Sequence, residues 1–166
     1  MIRNCTDVDI AAIEAIINEA AQVYRGVIPT DCWHEPYMPQ SDLMAEVAAG
    51  VAFWGWEDVG TLVGVMGLQK VRDATLIRHA YVRPAYQGRG IGGALLATLA
   101  GQISGPLLVG TWAAAEWAIH FYACGAVLIG RDQYDITAWN LSADGRCAKC
   151  GTHCHGALAP LQEFPE

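Results

Sequence analysis

Four glycines occur within residues 88–93, between a segment with strand character and one with the apolar periodicity of a helix. Glycine permits the backbone angles that aim successive amide N–H groups at one point. The N-terminus of a helix adds unpaired N–H donors and a positive partial charge, so the combination favours a phosphate or pyrophosphate group. Arg89 within the cluster, and Arg83 just before it, are the candidate cations. The spacing predicts an anion-binding loop, with a plain glycine-rich turn as the alternative.

The segments around the glycine cluster alternate between strand and helix patterns. Thr6 is a candidate N-cap, because an acidic residue lies three positions on and apolar residues follow at helical spacing. A Glu-Asp-Val-Gly segment at 57–60 separates two apolar runs and predicts a hairpin turn. Hairpins followed by alternating strands and helices predict an α+β domain on one mixed sheet, assigned to residues 1–140. The predicted elements are strand 1–5, helix 6–22, a proline-broken loop 24–40, helix 41–49, strands 51–56, 62–68 and 74–83, a helix from about 91, strand 107–110, helix 113–123, and strands 126–129 and 134–140.

The glycine cluster also carries a more specific pattern. Gln87-x-x-Gly90-x-Gly92, placed between a strand and a helix, resembles the acetyl-CoA loop of the GNAT superfamily of N-acetyltransferases. The resemblance covers about residues 1–130, because the predicted elements follow in the family's order. It implies a GNAT-like fold, with a central mixed, mostly antiparallel sheet that splays apart at the cofactor slot and is flanked by helices.

The resemblance also implies where acetyl-CoA, the cosubstrate, would bind. Residues 76–83 are similar to the family's fourth strand, and the edge of that strand would pair with the pantetheine arm. The backbone amides of the glycine loop would hold the pyrophosphate. The cofactor-binding residues implied in this way are Tyr81, Val82, Gln87, Gly88, Arg89, Gly90, Ile91, Gly92 and Gly93.

Two residues are candidates for the proton transfers of such a reaction. Phe121-Tyr122 resembles the family's Phe-Tyr pair, whose tyrosine protonates the sulfur of CoA, so Tyr122 is the candidate general acid. His79 is the candidate base, because an imidazole titrates near neutrality and can take a proton from an ammonium through water. Strand alternation places His79 on the face that also carries Tyr81. The alternative for His79 is a structural histidine bonded to its neighbours, and Glu116 is a second candidate base.

Together these features imply an acetyl-CoA-dependent N-acetyltransferase. The acceptor would be a primary amine of a small molecule or peptide, which attacks directly in a ternary complex. Two departures from the family pattern leave an alternative open, a non-catalytic acyl-CoA-binding sensor. Only two residues separate Tyr122 from Gly125, where the family has three, and Ala115 stands where the family has a cofactor-contacting asparagine.

The acceptor site is predicted in the segment after the first helix, where the family's substrate lid falls. Aromatic rings with an acidic side chain suit a cationic or amphipathic amine. A proline-rich loop pinned by its aromatic side chains is the alternative. The candidate substrate residues are Trp33, His34, Glu35 and Tyr37.

Residues 141–166 are predicted to form a separate tail that is rich in cysteine and histidine. Its Cys-x-x-Cys-Gly segment has the shape of a metal knuckle, in which two thiolates sit on one tight turn. Zinc is the expected metal, and the alternatives are reduced thiols or redox chemistry in a loose tail. A metal-binding interaction module is therefore a further functional hypothesis. The candidate ligands are Cys147, Cys150, Cys154, His153 and His155.

Composition and charge exclude several classes of protein. Apolar residues make up 53% of the chain and charged residues 16%, which argues against disorder. The formal net charge is −7, whereas nucleic-acid binders usually carry a strongly basic surface, so no nucleic-acid partner is expected. The sequence shows no secretory signal and no stretch near the ~20 apolar residues of a membrane span, which predicts a cytoplasmic protein without a membrane partner. The expected partners are the acceptor amine and, since this family often dimerises, a second copy of the chain.

Overall fold

The computed structural model describes residues 1–112, 114–118 and 121–122. Its elements agree with the predicted ones up to residue 110, with ends that differ by a few residues. Residues 116–118 and 121–122 are helical and belong to the helix predicted over 113–123. The strands predicted at 126–129 and 134–140 lie outside the described residues. The elements are β1 (Ile2–Asn4), α1 (Ile10–Ala21), α2 (Gln40–Ala48), β2 (Val51–Asp58), β3 (Thr61–Val71), β4 (Ala74–Val82), α3 (Ile91–Ala100) and β5 (Leu107–Val109).

The strands form one sheet in the order β1-β2-β3-β4-β5. The pairs β1/β2, β2/β3 and β3/β4 are all antiparallel, which confirms the predicted mixed α/β fold with a mostly antiparallel sheet. The predicted hairpin closes on Val59 and Gly60, whose φ angles of 45° and 76° are both left-handed. Such a two-residue turn matches the right-handed twist of the paired strands. The splay of the sheet at the cofactor slot stays a prediction.

The start of the first helix is fixed by an acidic side chain, as the capping pattern predicts. A 3-10 turn at Asp7–Asp9 precedes α1, and the N–H of Thr6 donates to Asp9 Oδ2 at 2.8 Å. The guanidinium of Arg3 in β1 donates to both carboxylate oxygens of Asp9, at 2.8 and 2.9 Å. These bonds from Arg3 lower the pKa of Asp9 to about 2. The buried carboxylate therefore ties the edge strand to the first helix.

Helices cover both faces of the central strands. Every residue of β3 from Leu62 to Leu68 is buried, as expected for a strand with packing on two sides. On one face α3 approaches closely, since a Cβ on Gly64 would lie 3.0 Å from Ile91 Cγ2. On the other face α1 and α2 contribute to a buried apolar group, here called the Phe53 cluster. Its members are Ile13, Ile16, Ile17, Met38, Leu43, Val51, Phe53, Leu62 and Val65.

The chain divides into two compact units. The first comprises Met1–Val23 and His34–Leu107, and the second comprises Tyr24–Trp33 and Leu108–Glu166. The first unit holds the glycine cluster, β4 and the helices α1 to α3. The predicted boundary at residue 140 lies outside the described residues. Within the described part, no helix combines the length and the apolar character that a membrane span requires.

Candidate functional site

The glycine cluster forms the connection between β4 and α3. After Val82 the chain makes a 3-10 turn over Pro84–Tyr86 and then reaches two left-handed glycines. Gly88 has φ 74° and Gly90 has φ 77°, values at which a side chain would strain the backbone. Gly90 is the N-cap residue, and α3 begins directly after it. The glycines thus allow a sharp reversal that ends on a helix N-terminus.

The backbone N–H groups of this loop lack acceptors. Among the described residues, none of the N–H groups of residues 88–93 has a hydrogen-bond acceptor in the protein, and the first bond of α3 runs from Ala94 N–H to Gly90 C=O at 2.9 Å. The first turn of α3 contains no acidic side chain that would occupy these donors. A Cβ at Gly88, Gly90 or Gly93 would meet nothing within 4 Å. Open, unpaired donors at a helix N-terminus fit the pyrophosphate of a CoA molecule.

Side chains brace the loop and leave one of the two predicted cations available. Gln87 Nε2 donates to the carbonyl of Val82 at 3.0 Å, which holds the loop against the end of β4. Arg89 donates to Ala85 C=O at 3.1 Å and lies 4.9 Å from the centre of the Tyr86 ring. No acidic side chain in the described part of the chain pairs with it.

Arg83, the other predicted cation, is already committed elsewhere. It donates to Leu62 C=O at 3.2 Å and forms an ion pair with Glu19 of α1. Its charge is therefore compensated within the protein, which leaves Arg89 as the candidate cation of the loop. A single sequence gives no sign of this pairing, because Glu19 and Arg83 lie 64 residues apart.

Tyr81 and Val82 form the last part of β4. Tyr81 pairs with Val65, and Val82 pairs with Gly64 in β3. The ring of Tyr81 is partly buried against the Phe53 cluster. Their predicted contact with the pantetheine arm stays a prediction.

The strand β4 contains a bulge at His79. Val65 pairs with Tyr81 and Gly67 with Arg78, so His79 and Ala80 together face a single residue of β3. His79 adopts φ 50°, the left-handed conformation that bulges of this kind normally reserve for glycine. Bulges re-aim side chains and are frequent beside active sites. The left-handed backbone of His79 is a strained feature at a position singled out for catalysis.

The bulge brings His79 to a carboxylate of α2. His79 Nε2 lies 2.5 Å from Glu46 Oε2, and Arg78 donates to the same oxygen at 3.2 Å. Strict alternation would place the side chains of Arg78 and His79 on opposite faces of the sheet. The bulge interrupts the alternation, so both side chains reach Glu46. The His79 ring stacks on Phe53, with 6.0 Å between ring centres, and its side chain is 14% exposed. The histidine is therefore bonded to a carboxylate and packed on an aromatic ring, and its role as a base stays a prediction.

Glu46 is a residue that sequence reasoning missed. Burial acts to raise the pKa of its carboxyl group, but the hydrogen bond and charge of His79 and the charge and hydrogen bond of Arg78 outweigh burial and lower the pKa to about 2. Glu46 is therefore ionised at neutral pH. No local pattern distinguishes it from the other acidic residues of the chain.

Tyr122, the candidate general acid, lies in the second unit. Its ring meets that of Phe121 edge to face, with 5.0 Å between the ring centres. Burial, followed by the nearby Tyr24, raises the pKa of the Tyr122 phenol well above its usual range. The phenol therefore keeps its proton at neutral pH, as a general acid must. Ala115 is fully buried, whereas Glu116 is exposed.

A family model decides the identity of this fold. The model of the acetyltransferase (GNAT) family matches residues 13–126, which is more than half of the chain. The chain belongs to the GNAT acetyltransferase family. No curated protein sequence matches the chain significantly.

Solved GNAT structures share the fold at low sequence identity. A PaiA N-acetyltransferase from Thermoplasma acidophilum, in complex with coenzyme A, is 20% identical with a TM-score of 0.63 over 75% of this chain and 86% of that chain. A ribosomal-protein-alanine N-acetyltransferase from Brucella melitensis is 23% identical with a TM-score of 0.57, over 75% of this chain and 82% of that one. An N-acetyltransferase from Staphylococcus aureus is 21% identical with a TM-score of 0.57, over 75% of this chain and 80% of that chain.

In this GNAT protein the predicted acceptor segment is divided between the two units. Trp33 is partly buried and belongs to the second unit. In the first unit, His34 and Glu35 are exposed, and Tyr37 packs against the Phe53 cluster. Their contact with an acceptor stays a prediction.

Asn18 of α1 fixes this segment of the GNAT domain to the first helix. Its Nδ2 donates to Met38 C=O at 2.9 Å, and its Oδ1 accepts from Met38 N–H at 2.8 Å. One amide side chain thus satisfies both backbone groups of a buried residue directly after the segment. The sequence gives no sign of this role of Asn18, because an asparagine within a helical pattern carries no signal of a distant partner.

Replacement of Asn18 should loosen this attachment. In Asn18→Leu both backbone groups of Met38 lose their partner, and each buried unpaired group costs about 1–3 kcal/mol. We expect the free energy of unfolding to fall by about 2–6 kcal/mol, measured by urea denaturation. Asn18→Asp keeps the acceptor but loses the donor, so it should lie between the parent and Asn18→Leu. Equal stability of the parent and Asn18→Leu would contradict the role.

The predicted metal ligands Cys147, Cys150, Cys154, His153 and His155 lie outside the described residues. Within the described ranges, no group of three or more histidine, cysteine or acidic side chains is placed to hold a metal ion. Cys5 is a free thiol. Burial, together with the negative charge of Asp9, raises the pKa of Cys5 to about 11, which makes it a weak nucleophile at neutral pH.

Proposed function

We propose that this GNAT protein transfers the acetyl group of acetyl-CoA to a primary amine of a small molecule or peptide, by direct attack in a ternary complex. The observation that carries the proposal is the set of unpaired N–H donors at residues 88–93, which fits a pyrophosphate. Structural relatives whose names describe N-acetyltransferases support amine as the class of acceptor.

The residues of the chain divide the proton transfers between them. Acetyl-CoA supplies a thioester whose carbonyl carbon the amine attacks, so that a C–N bond forms as the C–S bond breaks. His79 takes a proton from the acceptor ammonium and so frees the lone pair that attacks. Tyr122 gives its phenolic proton to the departing sulfur and regains a proton from solvent, while the acylated nitrogen loses its second proton to solvent. The net reaction converts an ammonium ion and acetyl-CoA to an amide, free CoA thiol and one proton.

The acceptor is proposed to bind beside the segment that contains His34, Glu35 and Tyr37. Glu35 offers a negative charge to an ammonium group, and Tyr37 offers an aromatic face. Asn18 holds Met38, directly after this segment, so these side chains are presented from a fixed backbone.

Thermal unfolding and thiol release test this proposal on the full chain. At ~100-fold excess over its dissociation constant, acetyl-CoA should stabilise the protein by ~2.7 kcal/mol, which raises the melting temperature by several degrees. A panel of primary amines is then assayed for release of free thiol. Thiol release that depends on one class of amine supports the enzyme. Stabilisation without thiol release for any amine would instead indicate an acyl-CoA-binding sensor, and no stabilisation would contradict both.

A further inference from the structure

The bond between Glu46 and His79 selects one protonation form of the imidazole. An ionised carboxylate only accepts hydrogen bonds, so the nitrogen that it contacts must carry the hydrogen. Glu46 Oε2 lies 2.5 Å from Nε2 of His79. The proton of a neutral His79 is therefore on Nε2, and the lone pair is on Nδ1.

The other ring nitrogen stays open to solvent. Within the described part of the chain, no side-chain nitrogen or oxygen is both buried and without a partner. The hydrogen bond of His79 runs through Nε2, and no partner of Nδ1 occurs among the described residues. Nδ1 therefore reaches solvent, which leaves it open to a proton donor or to a bridging water.

The charges around the ring balance each other. Arg78 binds the same carboxylate oxygen as His79 and so offsets the charge of Glu46. Phe53 supplies an apolar face on β2, and the members of the Phe53 cluster behind it carry no charge. Because Arg78 neutralises the charge of Glu46, the carboxylate can accept a hydrogen bond from an uncharged imidazole and so orient it.

Backbone and packing hold the ring in place. His79 takes its left-handed backbone from the bulge, and its ring is stacked on Phe53 at an interplanar angle of 23°. A Cβ on Gly67 would lie 2.9 Å from the carbonyl oxygen of Arg78 and 3.1 Å from Phe53 Cε1. The absence of a side chain at Gly67 therefore allows the bulged part of β4 and the ring of Phe53 to pack against each other. The imidazole is thus fixed by a carboxylate, an aromatic ring and the strand itself.

We propose that Glu46 is the positioning residue of this site, which holds His79 as the Nε2-protonated neutral tautomer so that Nδ1 accepts the proton of the acceptor amine. The inference rests on the proposed acetyl transfer and names the atom that acts as base. Nδ1 takes one proton from the ammonium and becomes part of an imidazolium ion beside the carboxylate. The amine lone pair then forms the C–N bond as the C–S bond breaks and the sulfur takes the proton of Tyr122. The acylated nitrogen loses its second proton to solvent, and the proton on Nδ1 also returns to solvent.

Nitrogen-15 NMR of the full chain, labelled at its histidines, tests the tautomer directly. The chain has five histidines, and the His79 signals are assigned as those lost in His79→Gln. At neutral pH we expect a protonated Nε2 and an unprotonated Nδ1. A doubly protonated ring at neutral pH would make the Glu46–His79 contact a fixed ion pair and overturn the proposal, as would a proton on Nδ1 with Nε2 bare.

Kinetics of Glu46→Gln test the catalytic consequence. The neutral amide no longer favours the Nε2-protonated form or stabilises the imidazolium, so kcat should fall about 10- to 100-fold. The KM for acetyl-CoA should stay unchanged. Glu57→Gln is the matched control, because it breaks the Arg3–Glu57 ion pair of 2.6 Å in the same unit. Its kcat should equal that of the parent, and an equal kcat in Glu46→Gln would overturn the proposal.

The two proposals fail in different ways. If the parent shows neither stabilisation by acetyl-CoA nor thiol release, the acetyl transfer is wrong. If the parent turns over and Glu46→Gln matches it, only the role of Glu46 is wrong. The NMR measurement needs neither cofactor nor acceptor, so it decides the tautomer whichever result the assays give.

Discussion

Gly90→Asp is expected to abolish high-affinity binding of acetyl-CoA and to leave the fold intact. Aspartate is among the residues that best tolerate a left-handed backbone, and a Cβ at Gly90 would meet nothing within 4 Å. A carboxylate at a helix N-terminus is itself favourable by about 0.3–1 kcal/mol. The same carboxylate repels a pyrophosphate held by the neighbouring N–H groups. We expect at least a ~100-fold loss of affinity, or about 2.7 kcal/mol, by isothermal titration calorimetry.

Two further variants separate charge from backbone strain. Gly60 in the β2–β3 turn has φ 76° and equally open surroundings, so Gly60→Asp carries the same strain away from the loop. Its affinity for acetyl-CoA should match that of the parent. Gly90→Asn has the shape of the aspartate without its charge and should lose much less affinity than Gly90→Asp. If Gly60→Asp and Gly90→Asp lose affinity equally, or neither does, the glycine loop is not the site of the pyrophosphate.

Tyr122→Phe is expected to lower kcat by about 100- to 1,000-fold, since a positioned general acid contributes about 10²–10⁴-fold to such a step. The phenyl ring keeps the edge-to-face packing on Phe121, so the change removes little more than the hydroxyl group. Acetyl-CoA affinity should stay at the parent value. Burial raises the pKa of Tyr122, so loss of its proton should not lower kcat at any pH below about 10. Steady-state thiol release over a range of pH measures both effects.

Tyr24→Phe is the matched control for this experiment. Tyr24 lies in the same unit, its ring packs on Trp117 at 5.6 Å between centres, and the substitution removes the same atom. We expect its kcat to stay within a few-fold of the parent. A Tyr122→Phe enzyme with the kcat of the parent would assign the proton of the leaving thiolate to another donor or to water.

The strands, helices and glycine loop of the first unit could be predicted because their signals are local. Thr6 and Asp9, which lie within one four-residue segment, mark the start of α1. The glycines before α3 indicate a turn with left-handed backbone angles. The spacing of apolar residues predicted which faces of the helices are buried. It could do so because burial of apolar surface is the main force that packs helices against a sheet. The glycine loop is also where the candidate site was predicted most fully, because its donors are backbone atoms.

The partners of charged side chains could not be predicted in the same way. Arg83 was a candidate cation for the loop, and only the packing of α1 on the sheet gives it Glu19 as a partner. Strict alternation would place Arg78 and His79 on opposite faces of β4, whereas the bulge turns both toward Glu46. A bulge shifts the register by one residue, and no propensity in the sequence marks where it falls.

The sequence by itself determined the strands and helices of the first unit, the hairpin turn between β2 and β3, and a glycine-rich loop suited to an anion. These features depend on residues within one turn or one strand of each other. Only the tertiary structure decided that His79 has a carboxylate partner and which of its nitrogens faces solvent. Glu46 and His79 are 33 residues apart, and they meet because α2 packs on the sheet beside a bulged strand. Such a contact depends on how the side chains of the whole domain pack together, so no short stretch of the chain encodes it.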